Sequence, residues 1–470
     1  MSLSFRTLAI PACFFGWLLS FPLYGPILNA LYPSLIDPES IGLTFTLMHA
    51  LGLAAGIFLN QRHWLLLMKI GIILSLPASI AFIFVGPFFT RPLCGVLGLF
   101  SALVVIGWSY LSSNVLISNR LRRMTLIILT ANLFLTGATI LVDRLSAPAI
   151  LLIVNIPLAI AAVLIFTLKI NSHLPSEERV KPGMPREIPF RKLLFYLCPA
   201  IFGLYLSGGF LYHGILPFYQ SASLWKSFPE FVYILALIVI WKFGPKKDLI
   251  HMAYYSISLL GLGFITFMGH NRSAGLFVST ALIFSALAFL DVFLWTILGT
   301  IGEVCRKPFM VFGPGLTVNL LALYFGGIIV RQFSARFGHY LFLMSMVALA
   351  AMDLVILIIP LLNKVFLETI KIKLNVPAPT APVTSAPKPG LEEVLPEMNL
   401  LTPKESEIMQ YIIAGAANKE IAAQLHISEN TLKVHMKNIT RKFGVSGKYE
   451  LLSYILNALS PNIAPGKDIQ

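Results

Sequence analysis

The chain has 470 residues, of which 57% are hydrophobic and 12% charged, with a mean hydropathy of +0.81 and a net charge of +14. A water-soluble globule carries about twice that share of charge, so the composition excludes one and points to a polytopic membrane protein. The 4 cysteines, Cys13, Cys94, Cys198 and Cys305, are scattered without ligand spacing and imply neither a disulfide framework nor a metal site.

Apolar runs of spanning length, about 20 residues each, fall near 8–28, 41–60, 65–85, 93–113, 124–142 and 147–168. A second set follows near 193–215, 228–243, 249–268, 274–299, 309–330 and 339–362, with 228–243 the shortest. The pattern predicts an all-α fold, a polytopic bundle of about twelve transmembrane helices in two six-helix halves, 1–168 and 193–363. The first run has one arginine before it and no small-residue cleavage site after it, so it reads as an uncleaved span.

Orientation follows from the basic residues. If the N-terminus is inside, the inner segments hold most of them, including Arg62, Arg120, Arg122, Arg123, Arg191, Lys192, Lys246 and Lys247. The outer segments hold Arg91, Arg144, Lys226, Arg272, Arg331 and Arg336. This bias predicts a multi-pass protein of the cell membrane with both termini in the cytoplasm. It also accounts for the net charge, so a high pI is not in itself a sign of nucleic acid.

The longest inner loop, 169–192, is polar and carries Pro175, Pro182, Gly183, Pro185 and Pro189. Two six-helix halves joined by a cytoplasmic loop resemble the major facilitator superfamily, whose halves enclose a central cavity. The resemblance is one of architecture and covers roughly 1–363. That family's usual loop between its second and third helices carries Gly, Asp, Arg, Gly and a basic pair. The corresponding loop here is Asn60-Gln61-Arg62-His63-Trp64, in which only Arg62 has a counterpart.

Few polar groups interrupt the runs: His49, Asn132, His213, Asp291 and Asp353. A carboxylate at the bilayer centre costs about 2.5–3.5 kcal/mol on insertion scales, so it faces protein or a watery cavity. Asp291, Asp353 and His213 are therefore the candidate ligand-binding residues, weighed against a plain helix-packing hydrogen bond for each. Glu230 and Glu303, near helix ends, are expected to reach the headgroups. Gly208-Gly209 and Gly326-Gly327 permit close helix packing.

After the last span, Lys364 to Leu374 reads as an amphipathic continuation with Lys364, Lys371 and Lys373 near anionic lipid. Residues 375–399 hold Pro377, Pro379, Pro382, Pro387, Pro389 and Pro396, the composition of an extended linker. At about 3.1 Å per residue it reaches on the order of 80 Å. Residues 364–399 thus form a juxtamembrane segment and linker, and 400–460 a separate domain.

That domain has helix punctuation. Thr402 precedes Pro403 at a first helical position, Ile408, Tyr411 and Ile412 share one face, and Gly415 is a stop signal. Asn418 caps a short second helix, and Ser428 caps a third after the turn His426-Ile427, which is helix–turn–helix spacing. In the third helix Leu432, His435, Met436, Ile439 and Phe443 form a packing seam, while Asn430, Lys433, Lys437 and Arg441 lie on another face.

With these residues the stretch resembles the LuxR-type (NarL-like) four-helix DNA-binding domain. Leu401-Thr402-Pro403-Lys404-Glu405, Asn418-Lys419-Glu420-Ile421-Ala422, Thr431-Leu432-Lys433-Val434-His435 and Lys442-Phe443-Gly444-Val445 stand at that family's spacing. The resemblance implies that Lys433, Val434 and Lys437 face the major groove, and that Lys419, Ser428 and Thr431 hold phosphates. Asn430 and Arg441 share the same DNA-binding face. It also implies pairing of two domains on DNA through the last helix, Tyr449 to Leu459.

No nucleotide-binding loop, catalytic triad, zinc site or phosphoacceptor domain is recognisable, so neither an enzyme nor a cofactor is expected. The chain reads as a membrane-embedded bacterial transcription regulator whose partners are promoter DNA, membrane lipid and an unknown small-molecule ligand. The alternative is a major-facilitator-like transporter with a regulatory cytoplasmic domain.

Overall fold

Backbone inside lipid has no water to bond, so runs of Leu, Ile, Val and Phe satisfy their own amides as helices. The computed structural model describes residues 3–23, 27, 31, 38–114, 116, 119–142, 144–168, 190–217, 219, 225, 227–244, 249–268, 273–305, 307–337, 340–373, 395–413, 416, 418–445, 447, 448, 451, 454 and 455. Among them all regular structure is helical. The first six helices are α1 (Leu3–Leu18), α2 (Pro38–Ala55), α3 (Trp64–Ala81), α4 (Pro87–Asn114), α5 (Arg120–Val142) and α6 (Ala147–Phe166). The next six are α7 (Phe190–Phe210), α8 (Phe228–Phe243), α9 (Leu249–Met268), α10 (Ser273–Cys305), α11 (Pro308–Arg336) and α12 (Tyr340–Lys373).

Among the described residues, 11 helices are long and apolar enough to cross a membrane. The exception to the expected twelve is α8, which has 16 residues. At 1.5 Å per residue it is about 24 Å long, short of a hydrocarbon core of about 30 Å. The last helix runs without a break to Lys373, so the expected amphipathic continuation is the end of α12 itself.

Contacts divide the chain into two units, one of Met1–Leu168, Leu194–Gly244 and Ile250–Leu361, the other of Lys169–Leu193, Pro245–Leu249 and Leu362–Gln470. In the first unit α1 packs on α5 and α6, α4 on α2 and α3, and α10 on α8 and α11. The first six helices meet the last six where α2 and α4 pack on α11, and α5 on α8 and α10. Glycines let two of these helices approach closely: a Cβ at Gly326 would stand 2.7 Å from the Cα of Gly209 and 2.9 Å from the Leu206 carbonyl.

Glu303 does not reach the headgroups as expected. It is 6% exposed and its Oε2 accepts from Arg120 Nη2 at 2.9 Å. Arg120 also donates to the Ser113 carbonyl at 3.2 Å and to Thr300 Oγ1 at 3.0 Å. A carboxylate inside the bundle needs a cation, and α5 presents one from the other six-helix set. Glu230 likewise turns inward, onto the cavity described below.

In the second unit, α13 (Pro403–Ile413), α14 (Asn418–Gln424) and α15 (Glu429–Lys442) close on a core of Ile408, Met409, Ile412, Ile421, Leu432, Ile439 and Phe443. A reciprocal cap starts α13: Glu405 N–H donates to Thr402 Oγ1 at 3.3 Å, and Thr402 N–H to Glu405 Oε2 at 2.8 Å. The same carboxylate pairs with Lys442 at 2.5 Å, which ties the ends of α13 and α15 together.

The proline-rich segment is not extended to its end. Pro396–Leu400 forms a 3₁₀ turn, Leu395 and Met398 are buried, and Tyr454 donates to Glu397 at 2.6 Å. Two apolar side chains hidden among prolines draw these residues into the domain. The expectations for the loop 169–189, the linker 374–394, Gly415 and most of the last helix, Tyr449 to Leu459, lie outside the described residues.

Two outcomes follow from this packing. Gly326→Ala forces backbone apart and should cost about 1–3 kcal/mol, read as a lowered Tm of the purified chain. Gly261→Ala, where nothing lies within 4 Å, should leave Tm in place. An equal effect of both would remove the close approach as a constraint.

The second outcome concerns Glu405. Burial pushes its carboxyl pKa up, but Lys442 and the Thr402 donors outweigh that and hold it below the usual range. A folded value below the unfolded one gives stability that is present above about pH 4.3 and lost as pH falls through the folded value. Glu405→Gln should cost about 1.5–3 kcal/mol at pH 7 in urea unfolding of residues 391–470, and much less at pH 3. Equal losses at both pH values would mean that the charge contributes nothing.

Candidate functional site

Two places concentrate polar chemistry. The first is the outer face of α15. Ser428 caps this helix, its Oγ accepting from Thr431 N–H at 3.0 Å, and His426 makes the preceding turn at φ 52°. Leu432, Ile439 and Phe443 are buried, with His435 and Met436 half-buried beside them. That leaves Asn430, Thr431, Lys433, Val434, Lys437 and Arg441 exposed together, along with Ser428.

Positions 430, 433, 434, 437 and 441 recur at helical spacing, so they make one stripe. Val434 is 59% exposed, an aliphatic contact flanked by lysines, and such a surface suits base edges and methyls in a major groove. Lys419 lies in α14, and its side chain is outside the described part of the structure. Lys442 and Lys448 are engaged within the domain, Lys442 by Glu405 and Lys448 by the Ala416 carbonyl at 2.8 Å and Asn418 Oδ1 at 3.3 Å.

The second place is a cavity of about 450 Å³ between the first six and last six helices of the bundle. Asp291 of α10 reaches it. Tyr205 of α7 donates to Asp291 Oδ1 at 2.6 Å and Tyr233 of α8 to Oδ2 at 2.5 Å. Both carboxylate oxygens are thus bonded by phenols. His213 lines the same cavity and sits on a π turn, Leu211–Ile215, that follows α7. The counterpart turn, Leu19–Leu23, follows α1 and also lines it. A π turn spends a helical hydrogen bond and is often found where a helix serves a site.

Asp353 is elsewhere. On α12 the buried positions around it are Ala348, Met352, Val355 and Ile359, and Asp353, a residue past Met352, is exposed and lines no part of the cavity. The expectation assumed that every mid-span carboxylate turns inward. His49 and Asn132 border the cavity while making packing bonds, His49 Nδ1 to Ser101 Oγ at 2.7 Å and Asn132 Nδ2 to the Ile128 carbonyl at 2.9 Å. Tyr205, Tyr212, Tyr233 and Trp295 join the cavity without having been singled out, and Glu230, expected at the headgroups, joins them. The available signal was tyrosine in the middle of a run, where the interfacial preference of that residue is not met.

Comparison with known proteins bears on both parts of the chain. Residues 399–455 match the family described as bacterial regulatory proteins, luxR family (GerE). Among curated relatives, the probable csgAB operon transcriptional regulatory protein of Salmonella typhimurium is 43% identical over 58 residues, 12% of this chain and 27% of that protein. The nitrate/nitrite response regulator protein NarL of Escherichia coli is 37% identical over 59 residues, 13% of this chain and 27% of its own length. The chain thus spans 27% of the length of these relatives, and the likeness is confined to the C-terminal domain.

Among solved structures, the human organic anion transporter MFSD10 (TETRAN) superposes with a TM-score of 0.54 at 16% identity, covering 77% of this chain and 98% of that one. At that identity the likeness is one of fold alone. Residues 399–455 of this chain therefore carry a LuxR-family helix–turn–helix domain, and its helical bundle shares the fold of that transporter.

Proposed function

We propose that the chain is a membrane-embedded bacterial transcription regulator, in which the bundle responds to a small ligand in its cavity and the C-terminal domain binds promoter DNA. The observation that carries the reading is the exposed stripe of Asn430, Lys433, Val434, Lys437 and Arg441 on a helix whose opposite side is packed. A helix that presents lysines and an aliphatic on one face is equipped to contact phosphate and base edges together. The luxR-family match supports DNA as the partner. The excess of basic residues in alternate loops supports a cytoplasmic domain, where DNA is.

In this reading Lys433, Val434 and Lys437 meet base edges, Asn430 and Arg441 flank them, and Ser428, Thr431 and Lys419 hold phosphates. Two domains bind half-sites about one DNA turn apart, paired through the last helix. Asp291 and His213 meet the ligand. A second reading, a transporter with a regulatory domain, draws on the cavity between the two helix sets. Uptake of a solute by proteoliposomes of the full chain would favour it over the first.

Lys433→Ala should weaken operator binding of residues 391–470 by about 1–3 kcal/mol with folding unchanged. A quantitative footprint measures this. An unaltered footprint would remove α15 from the DNA interface.

A further inference from the structure

We propose that the bundle's cavity selects a lipophilic organic cation, an amine or quaternary onium with apolar substituents. The inference rests on the reading of this cavity as the ligand site and names the chemistry that it would accept.

Charge is the first ground. Among the described residues the lining holds two carboxylates, Asp291 and Glu230, and no lysine or arginine. Its histidines, His49 and His213, are not fixed cations. The two phenols on Asp291 supply dipoles but no positive charge, and no described cation pairs with it. Glu230 Oε2 is buried without a hydrogen-bond partner among the described residues. A carboxylate in low dielectric is eased by a compensating charge, and among the described residues the lining provides no lysine or arginine, in contrast to Glu303 with its Arg120.

Aromatic surface is the second ground. Trp108 and Trp295 pack edge to face at 4.9 Å, one from each helix set, and both line the cavity with Phe15. Faces of indole and phenol attract a desolvated cation through the ring quadrupole, and they accept bulky apolar substituents at the same time. The volume of about 450 Å³ is of drug-molecule size, far larger than a metal ion or ammonium needs. An anion would meet two carboxylates and no donor cation, so the same walls exclude it.

Saturable binding of radiolabelled tetraphenylphosphonium to the full chain in detergent tests this, with the smaller benzyltrimethylammonium as competitor and tetraphenylborate as the anion of matched shape. The expected result is that a cation binds saturably and tetraphenylborate does not compete. Asp291→Asn should weaken binding about tenfold or more. Glu230→Gln, which leaves the Tyr205 and Tyr233 bonds to Asp291 in place, should weaken it in the same direction. Absence of saturable binding by either cation, equal competition by tetraphenylborate, or wild-type affinity in both well-folded variants would overturn the proposal. No DNA is present in the assay, so its failure leaves the footprint untouched, and a failed footprint leaves the cation result standing.

Discussion

Arg120 and Glu303 meet at 2.9 Å, each 6% exposed, across the line where the first six helices face the last six. The pair expresses the constraint on which the bundle depends: within apolar helices a polar group bonds to protein because no water is there to bond it. The same demand accounts for serine and threonine hydroxyls that bond back to carbonyls on their own helices, such as Thr125 to Leu121 at 2.7 Å and Thr136 to Asn132 at 2.9 Å. It accounts for His49 against Ser101 as well. In the cavity Asp291 is held by two phenols, while Glu230 Oε2 is buried without a hydrogen-bond partner among the described residues.

Much of this was legible in the chain. Spanning helices announce themselves by length and apolarity, and the helix–turn–helix by caps at fixed offsets, because both signals are local. Ser428 caps α15 as its type and position predict, and Leu432, Ile439 and Phe443 turn inward as their spacing predicts. The candidate site in the bundle was half legible. Asp291 was marked by its charge, but Tyr205 and Tyr233 stand 86 and 58 residues away from it, and no periodicity reveals which distant helix supplies a donor.

Asp353 shows the complementary failure. Its charge matched that of Asp291, yet helix phase decided where it pointed, and phase in a run that is apolar all round is nearly invisible. Glu303 failed for a related reason: its nearness to a helix end suggested headgroups, while its partner lay 183 residues earlier. Leu395 and Met398 were hidden by the prolines around them, although their burial extends the second unit's core upstream of α13.

Fusion of the two parts in one chain joins a membrane cavity to a surface of the kind that reads DNA. A ligand shifts an equilibrium only by its difference in affinity between two states. Lys442 illustrates how the C-terminal domain holds itself together: its charge is paired with Glu405.

The claim that the uncut, membrane-held chain acts on promoters is tested most directly by chromatin immunoprecipitation with an epitope tag at the N-terminus, in the cells that make the protein. Only intact chain is then recovered with its DNA. The account predicts enrichment of a small set of promoter sites, lost in a Lys433→Ala, Lys437→Ala double variant that still reaches the membrane. Enrichment with a C-terminal tag alone, or with neither tag, would contradict it.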